Sequence, residues 1–152
     1  MSEGISYVLK RTLLEHGAAV AGIADLARFT APPGGAIVAI VFGLRYSDEA
    51  VDALPRDGVW VPMAHALSAQ ALEPYSRLAG CLQTFFPGSR CCRMDQAQDV
   101  LGARIDGLRQ KAAAVLAELG WIGRPSLLVS PTKGPRIRLG TLLSDAPPVC
   151  NL

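Results

Sequence analysis

The chain has 152 residues, of which 50% are hydrophobic and 18% are charged. This length fits one domain with its own core, and the composition excludes an intrinsically disordered chain. The longest apolar run, AIVAIVFGL at 36–44, is far shorter than the ~20 residues that a membrane-spanning helix needs. The N-terminal residues lack the basic-then-apolar order of a signal peptide. We therefore predict a single cytoplasmic domain over residues 1–152, without a membrane segment.

Positive charge is concentrated in the last third of the chain. Residues 1–100 carry 8 basic and 10 acidic side chains, a net charge of −2, whereas residues 101–152 carry 7 basic and 3 acidic side chains, a net charge of +4. A basic segment suits an anionic ligand or nucleic acid, and it is also common on ordinary solvated surfaces. A pI of about 8.4 and few aromatic residues argue against nucleic acid as the partner.

The first part of the chain has one helical pattern and two strand patterns. Apolar residues between Ile5 and Leu13 share one face of a helix, which Gly17 stops. Residues 19–25 predict a short strand, and the prolines and glycines of 28–35 predict a loop. Residues 36–44, rich in β-branched side chains, predict a strand that is buried on both faces.

Helical patterns dominate the middle of the chain. After a short helix within 45–54, apolar residues at helical spacing continue through residues 63–86, where Pro74 should kink or divide the helix because it lacks an amide hydrogen. Residues 87–92 fit either a loop or a short strand. The strongest helical pattern covers about 96–119 and is predicted to end at Gly120.

The last part of the chain contains two further strand patterns. Residues 126–130 and 136–145 flank the turn PTKGP, in which Gly134 suits a positive φ, so an antiparallel hairpin is predicted to pair with strand 36–44. The complete element order is α-β-β-α-α-α-β-β. It predicts an α+β fold, with a small, largely antiparallel sheet covered by helices.

Four cysteines stand at positions 81, 91, 92 and 150. No pair has the C-x-x-C spacing that zinc and iron–sulfur sites favour. We interpret them as reduced thiols that pack as small apolar groups, with no metal site and no iron–sulfur cluster in this chain.

The segment LGWIGRPSL at 119–127 places a tryptophan between two glycines, although a helix needs only one glycine to stop. Because it has no side chain, Gly123 permits a tight turn or the close approach of another group to the backbone, and Trp121 has a flat aromatic face. Two interpretations remain open. Either this is a structural turn whose tryptophan closes the end of the core, or it is a turn that faces a ligand.

Positive side chains downstream bear on this choice. Arg136 and Arg138 alternate with apolar residues, so both should project from the same face of a strand. With Arg124 and Lys133 they would surround one end of the predicted hairpin. Such a group beside an aromatic wall suits a large flat ligand that bears a phosphate.

Residues 117–148 also resemble a known family. The segment AELGWIGRPSLLVSPTKGPRIRLGTLLSDAPP is similar to the pattern A-G-L-G-W-I-G-K-x-x-L-L-(V/I)-x-P-x-x-G of epoxyqueuosine reductases and the double iron–sulfur-cluster proteins allied to reductive dehalogenases. Weaker similarity extends to AGIADL at 21–26, to residues 36–54 and to Lys111. The resemblance implies a corrinoid-binding domain whose fold is related to flavin nitroreductases and vitamin B12-processing proteins.

The resemblance also implies which residues hold the cofactor, a cobalamin or another corrinoid. Arg124 stands where the family usually has lysine, which keeps the charge but changes the geometry. Tyr46 follows a predicted strand, where ligands often bind, and His65 lies near a family histidine, although a histidine hydrogen-bonded within helix packing is the alternative. The motif residues that match are Gly120, Trp121, Ile122, Gly123 and Ser126, and Arg136 and Arg138 complete the candidate site.

Two departures from the family limit the expected activity. Family members continue into a ferredoxin-like domain with two clusters, whereas this chain reaches SDAPPVCNL and stops. They also carry an aspartate, in a segment like D-T-G-P, that acts as a proton donor, and Asp106-Gly107 is a poor match to it. No catalytic residue is therefore assigned, and electrons are expected from a separate ferredoxin-like iron–sulfur protein.

Two alternatives remain beside the corrinoid-binding redox domain. The first is a non-catalytic relative that acts as a binding or dimerisation module. The second is a flavin-binding, nitroreductase-like reductase, which rests on fold analogy alone. Because relatives would cover part of this surface with their second domain, a homodimer is expected in either case.

Overall fold

The computed structural model describes residues 3–26, 35–54, 72–87, 91–93, 110–124 and 126–148. Its mixed helices and small antiparallel sheet confirm the predicted α+β class. Within these residues, no helix combines the length and the apolar character needed to cross a membrane. The elements are α1 (Glu3–Glu15), β1 (Val20–Asp25), β2 (Val38–Arg45), α2 (Asp48–Asp52), α3 (Leu72–Gln83), β3 (Cys91–Arg93), α4 (Gln110–Leu116), β4 (Trp121–Ile122), β5 (Leu128–Val129) and β6 (Ile137–Ser144).

The main sheet has four antiparallel strands in the order β1-β2-β6-β3. Strand β2 lies at its centre and is buried along its length except for Arg45. Its side chains alternate between the two faces, because successive residues of a strand point in opposite directions. Ile40 and Phe42 pack toward α1 and α3, whereas Ala39 and Val41 pack toward α4. The predicted strand at 36–44, buried on both faces, is confirmed.

Helices cover both faces of this sheet. One core cluster joins β2 to the buried Leu9 and Leu13 of α1 and to the buried Tyr75, Leu78 and Leu82 of α3. On the opposite face, small side chains of α4, Ala113 and Ala114, bring that helix close to the strands. Small side chains at a contact allow the backbones of a helix and a sheet to approach more closely than large ones do.

The predicted hairpin at 126–143 is only half correct. Strand β6 pairs with β2 over its whole length, from Val38 opposite Ser144 to Arg45 opposite Ile137. However, β5 pairs with β4 in a separate two-stranded sheet, and in the described residues a single bridge, Ser130 with Gly134, joins the two arms. The ladder cannot continue beyond that bridge, since the next residue, Pro135, has no amide hydrogen to donate.

Pro74 and two glycines are predicted to mark other boundaries. Pro74 is the third residue of α3 as described, and the residues before Leu72 lie outside the described structure, so the kink expected at Pro74 stays a prediction. Gly134 has φ +68° and Gly17 has φ +102°, as the predicted turns require. Residues 91–93 form a strand, which includes the last two residues of the segment 87–92 that was left open between loop and strand. The loop at 28–34 and the helical predictions for 63–71 and 96–109 lie outside the described residues.

The end of α4 corrects the prediction that Gly120 stops this helix. The helix ends at Leu116, the amide of Ala117 makes the last i→i−4 bond, to the carbonyl of Ala113 at 2.9 Å, and Glu118 takes the left-handed conformation, with φ +61°. The amide of Leu119 donates to the carbonyl of Ala114 at 3.0 Å, and the amide of Glu118 donates to Val115 at 3.0 Å. These two bonds define a Schellman motif whose left-handed position is usually glycine. The family pattern A-G-L-G has glycine at this position, where the present chain has glutamate.

We therefore expect Glu118→Gly to raise the free energy of unfolding by about 0.5–1 kcal/mol, because glycine adopts positive φ without the steric penalty of a Cβ atom. Urea denaturation of both proteins measures the difference. Glu118→Ala separates conformation from charge, since alanine removes the carboxylate and keeps the penalty. If Glu118→Ala stabilises the protein as much as Glu118→Gly, charge rather than φ is the cause.

Candidate functional site

The segment GWIGR forms a small hairpin rather than a simple helix stop. Strand β4 pairs with β5, with Trp121 opposite Val129 and Ile122 opposite Leu128. The amide of Gly123 donates to the carbonyl of Leu127 at 2.8 Å, and the amide of Ser126 donates to the carbonyl of Gly123 at 3.0 Å. Ser126 has φ +61°, the left-handed conformation that closes short hairpin loops of this kind.

The two faces of this hairpin have different surroundings. Residues that pair directly across an antiparallel ladder share a face, so Trp121, Val129 and Leu127 point to one side and Leu128 points to the other. Leu128 is buried in the core under α4, whereas Trp121 is 54% exposed and Leu127 is 44% exposed. We call the exposed surface of Trp121, Gly123 and Leu127 the outer face of the hairpin.

The exposure of Trp121 bears on the two interpretations of the turn. A tryptophan that closed the end of the core would be largely buried, because such a ring contributes mainly by burying apolar area. Here more than half of its surface is accessible, and Ile122 is 45% exposed beside it. The geometry thus favours a hairpin that presents apolar surface outward.

Lys111 ties this hairpin to α4, and sequence reasoning did not select it as a site residue. Its Nζ donates a hydrogen bond to the carbonyl oxygen of Ser126. The bond joins the first turn of α4 to the loop that ends in the strained Ser126. Only the family similarity at position 111 pointed to this residue, because helix and loop are 15 residues apart in sequence.

Arg136 makes contacts that its sequence position did not suggest. One of its guanidinium nitrogens lies 3.1 Å from Asp48 Oδ1, and the other lies 2.7 Å from Asp52 Oδ1. The hydrogen bond to Asp52 raises the pKa of Arg136 above its ordinary value. Arg136 is therefore joined to α2, and a phosphate would have to compete with two carboxylates for it.

The other candidates occupy separate local settings. The amide of Tyr46 donates to the carbonyl of Arg136 at 3.0 Å, so the structure brings these two candidates together at one end of the sheet. Arg138 is half-buried on β6, opposite Leu44. Arg124 and Lys133 are exposed in two different turns. His65 lies outside the described residues.

Among the cysteines, only Cys81 has a described side chain. It is half-buried on α3, and burial raises the pKa of its thiol, which favours the neutral form. Within the described part of the chain, no group of three or more histidine, cysteine, aspartate or glutamate side chains is placed to hold a metal ion.

Comparisons with known proteins relate the chain to one class of enzyme through fold. No family model matches the sequence, and no curated protein matches it. An epoxyqueuosine reductase from Streptococcus thermophilus superposes with a TM-score of 0.61 at 16% identity, covering 98% of this chain and 48% of that one. The Bacillus subtilis enzyme, solved with its catalytic loop swung out of the active site, gives 0.53 at 14% identity, with 97% and 49% covered.

A third structure extends the same likeness. An epoxyqueuosine reductase solved with an epoxyqueuosine-modified tRNA-Tyr stem loop gives a TM-score of 0.51 at 16% identity, covering 95% of this chain and 48% of that one. At such identities the shared property is the fold. The chain has the fold of an epoxyqueuosine reductase over about half of that enzyme's length.

Proposed function

We propose that this chain is a corrinoid-binding redox domain of the epoxyqueuosine reductase type, and that a cobalamin or related corrinoid lies against the outer face of the hairpin. The observation that carries the proposal is the 54% exposure of Trp121 on a face where Gly123 has no side chain. An accessible aromatic surface beside a glycine suits a large flat ring, because flat rings stack on aromatic faces and approach glycine backbone closely.

The residues present fit such a group in part. Trp121 and Gly123 on the outer face would contact the ring, and Gly120, Ile122, Arg124 and Ser126 form the rest of the hairpin and its loop, which hold that face in place. Arg138, Tyr46 and Arg136 would contact the phosphate of a nucleotide tail, although Asp48 and Asp52 already hold the Arg136 guanidinium. A bound corrinoid supplies a cobalt centre for electron transfer. The chain's own residues bind and orient that group, exclude water from one of its faces and supply positive charge.

This proposal includes a partner. A ferredoxin-like iron–sulfur protein would supply the electrons, since no cysteine spacing in this sequence fits a cluster. The chain spans about half the length of the epoxyqueuosine reductases whose fold it has. The redox activity and its substrate therefore belong to the assembly that we propose, not to this domain alone.

The exposed hairpin also favours a second candidate, a non-catalytic module that forms a homodimer. Trp121 and Leu127, both on the outer face, are each more than 40% exposed, and clustered apolar surface of this kind marks binding sites and interfaces. A second copy of the chain would then cover the face that the first proposal gives to the corrinoid. A flavin-binding reductase is the third candidate, supported by fold analogy alone.

Replacing Trp121 with alanine tests the proposal. We expect about tenfold weaker binding of hydroxocobalamin, because the loss of one aromatic stacking surface corresponds to about 1.4 kcal/mol. The melting temperature should change little, since the side chain is exposed. The absorbance change of the corrinoid during titration measures binding, and Tyr7→Ala on α1, which removes an aromatic side chain that is 65% exposed, is the matched control.

Each further outcome selects among the candidates. If neither hydroxocobalamin nor cobinamide changes its spectrum with the wild-type protein, the corrinoid proposal is wrong. A flavin mononucleotide spectrum perturbed by the wild-type protein would support the nitroreductase-like alternative. If sedimentation shows a dimer that Trp121→Ala converts to a monomer and no cofactor binds, the hairpin is a dimerisation surface.

A further inference from the structure

Helix α2 is attached to the sheet through Arg136. The guanidinium donates to Asp48 Oδ1 at 3.1 Å, to the Asp48 carbonyl at 3.3 Å and to Asp52 Oδ1 at 2.7 Å. Arg45, the last residue of β2, also pairs with Asp48, through Oδ2 at 2.9 Å. Two arginines of the sheet therefore hold two carboxylates of a five-residue helix.

Helix α2 buries little apolar surface against the rest of the protein. None of its side chains is fully buried, and Ala50 and Val51 are only half-buried. Its start is capped by the Ser47 side chain, which accepts a hydrogen bond from the Ala50 amide at 3.1 Å. Segments with little buried apolar surface open locally at low free-energy cost. Within the described residues, the contacts to Arg136 and Arg45 are therefore the main attachment of this helix to the sheet.

We propose that α2 is an ionic latch on Arg136. Asp48 and Asp52 occupy N–H donors on both terminal nitrogens of the guanidinium, so an oxyanion of the phosphate class that binds through these two nitrogens must displace α2. Carboxylate and phosphate oxygens compete for the same donors, because arginine recognises both through the same planar array of N–H groups. This latch rests on the proposed function, which places a phosphate at Arg136, and it would regulate the binding of that phosphate.

The exposure of the groups sets the strength of the latch. The Arg136 side chain is 34% exposed, and the carboxylates of Asp48 and Asp52 are 52% and 66% exposed. Water and salt screen ion pairs of this kind, so the coupling between anion binding and α2 release should be about 3–10-fold. This coupling is reciprocal: an anion that opens α2 binds more tightly when α2 is already released.

Hydrogen exchange of the α2 amides measures the latch. The amides of Val51, Ala53 and Leu54 donate to carbonyls within the segment, so their exchange reports its opening. In Arg136→Gln they should exchange about 3–10-fold faster than in the wild type. Glu15→Gln, which removes the remote Arg11–Glu15 pair of α1, should leave them unchanged.

Pyrophosphate at constant ionic strength tests the competition. It should accelerate exchange of these amides in the wild type and have no effect in Arg136→Gln. Asp52→Asn should bind pyrophosphate about 3–10-fold more tightly than the wild type. Asp52 is the better position to change, because it lies at the C-terminal end of α2, where its charge does not stabilise the helix dipole.

Two results would overturn the latch. One is α2 exchange that Arg136→Gln does not alter, and the other is pyrophosphate affinity that Asp52→Asn does not raise. Neither result depends on a corrinoid. If the wild-type protein does not bind hydroxocobalamin but shows the coupled pyrophosphate response, the proposed function is wrong and the latch is still supported.

Discussion

Gly120→Ala should lower the free energy of unfolding by about 3 kcal/mol or more, because the new methyl group has no space to occupy. A Cβ atom at Gly120 would lie 2.0 Å from the carbonyl oxygen of Val129 and 2.8 Å from its carbonyl carbon. It would also lie 3.1 Å from the Cα atom of Ser130. All three are backbone atoms, which cannot rotate away as the end of a side chain can. The hairpin would have to separate from the end of α4.

Urea denaturation measures this loss, and two other glycines supply the controls. Gly80 is exposed on α3 with nothing within 4 Å of an added Cβ atom, so Gly80→Ala should be neutral or stabilise by up to about 1 kcal/mol. Gly134 has φ +68° and equally open surroundings, so Gly134→Ala should cost about 1 kcal/mol through backbone strain alone. A cost for Gly120→Ala no larger than that for Gly134→Ala would contradict the steric argument.

The same contact explains the first of the two glycines in the segment GWIGR. The helix stops at Glu118, through its left-handed backbone, and Gly120 instead lets the chain pass against Val129. Gly123 then accepts the hydrogen bond that closes the hairpin loop. Gly120 therefore serves a steric contact within the hairpin, whereas the bonds of Gly123 are backbone bonds that any residue can make. The family pattern carries a further glycine where this chain has Glu118.

Local patterns predicted the elements well, because the alternation of side chains is a local property. The strand at 36–44 and the helix that Gly17 ends were both found from residues adjacent in sequence. Strand pairing was harder to predict, since β5 could join either β4 or β6. The absence of an amide hydrogen at Pro135 and the close approach of Gly120 to Val129 decide that choice, and the second of these is a tertiary contact.

For the candidate site, too, some features could be predicted from the sequence and others could not. The turn at Trp121 and the alternation of Arg136 with apolar residues were readable from sequence. The partner of Arg136 was not readable, because Asp48 lies 88 residues away. An arginine predicted to face a phosphate-bearing ligand proves to be held by two carboxylates, and only the fold brings these groups together.

Strand β6 carries a buried hydroxyl group that makes no hydrogen bond in the described structure. Thr141 is fully buried, and in the described structure its Oγ1 has no hydrogen-bond partner. It lies opposite Val41 in the register and shares a face of β6 with Leu143, within the core under α4. Burying an unsatisfied hydroxyl costs free energy that folding must offset elsewhere.

Thr141→Val should therefore raise the free energy of unfolding by about 1–2 kcal/mol, since valine has nearly the same shape, keeps the β-branch and removes the unpaired group.

Ser144→Ala on the same strand should have the opposite effect on stability. Ser144 is also fully buried, but its hydroxyl donates to the Ala146 carbonyl at 2.9 Å and accepts from the Ala146 amide at 3.1 Å. Its removal should destabilise by about 1–3 kcal/mol. Urea denaturation of the two variants should give opposite signs, and a Thr141→Val protein less stable than the wild type would show that the hydroxyl has a partner.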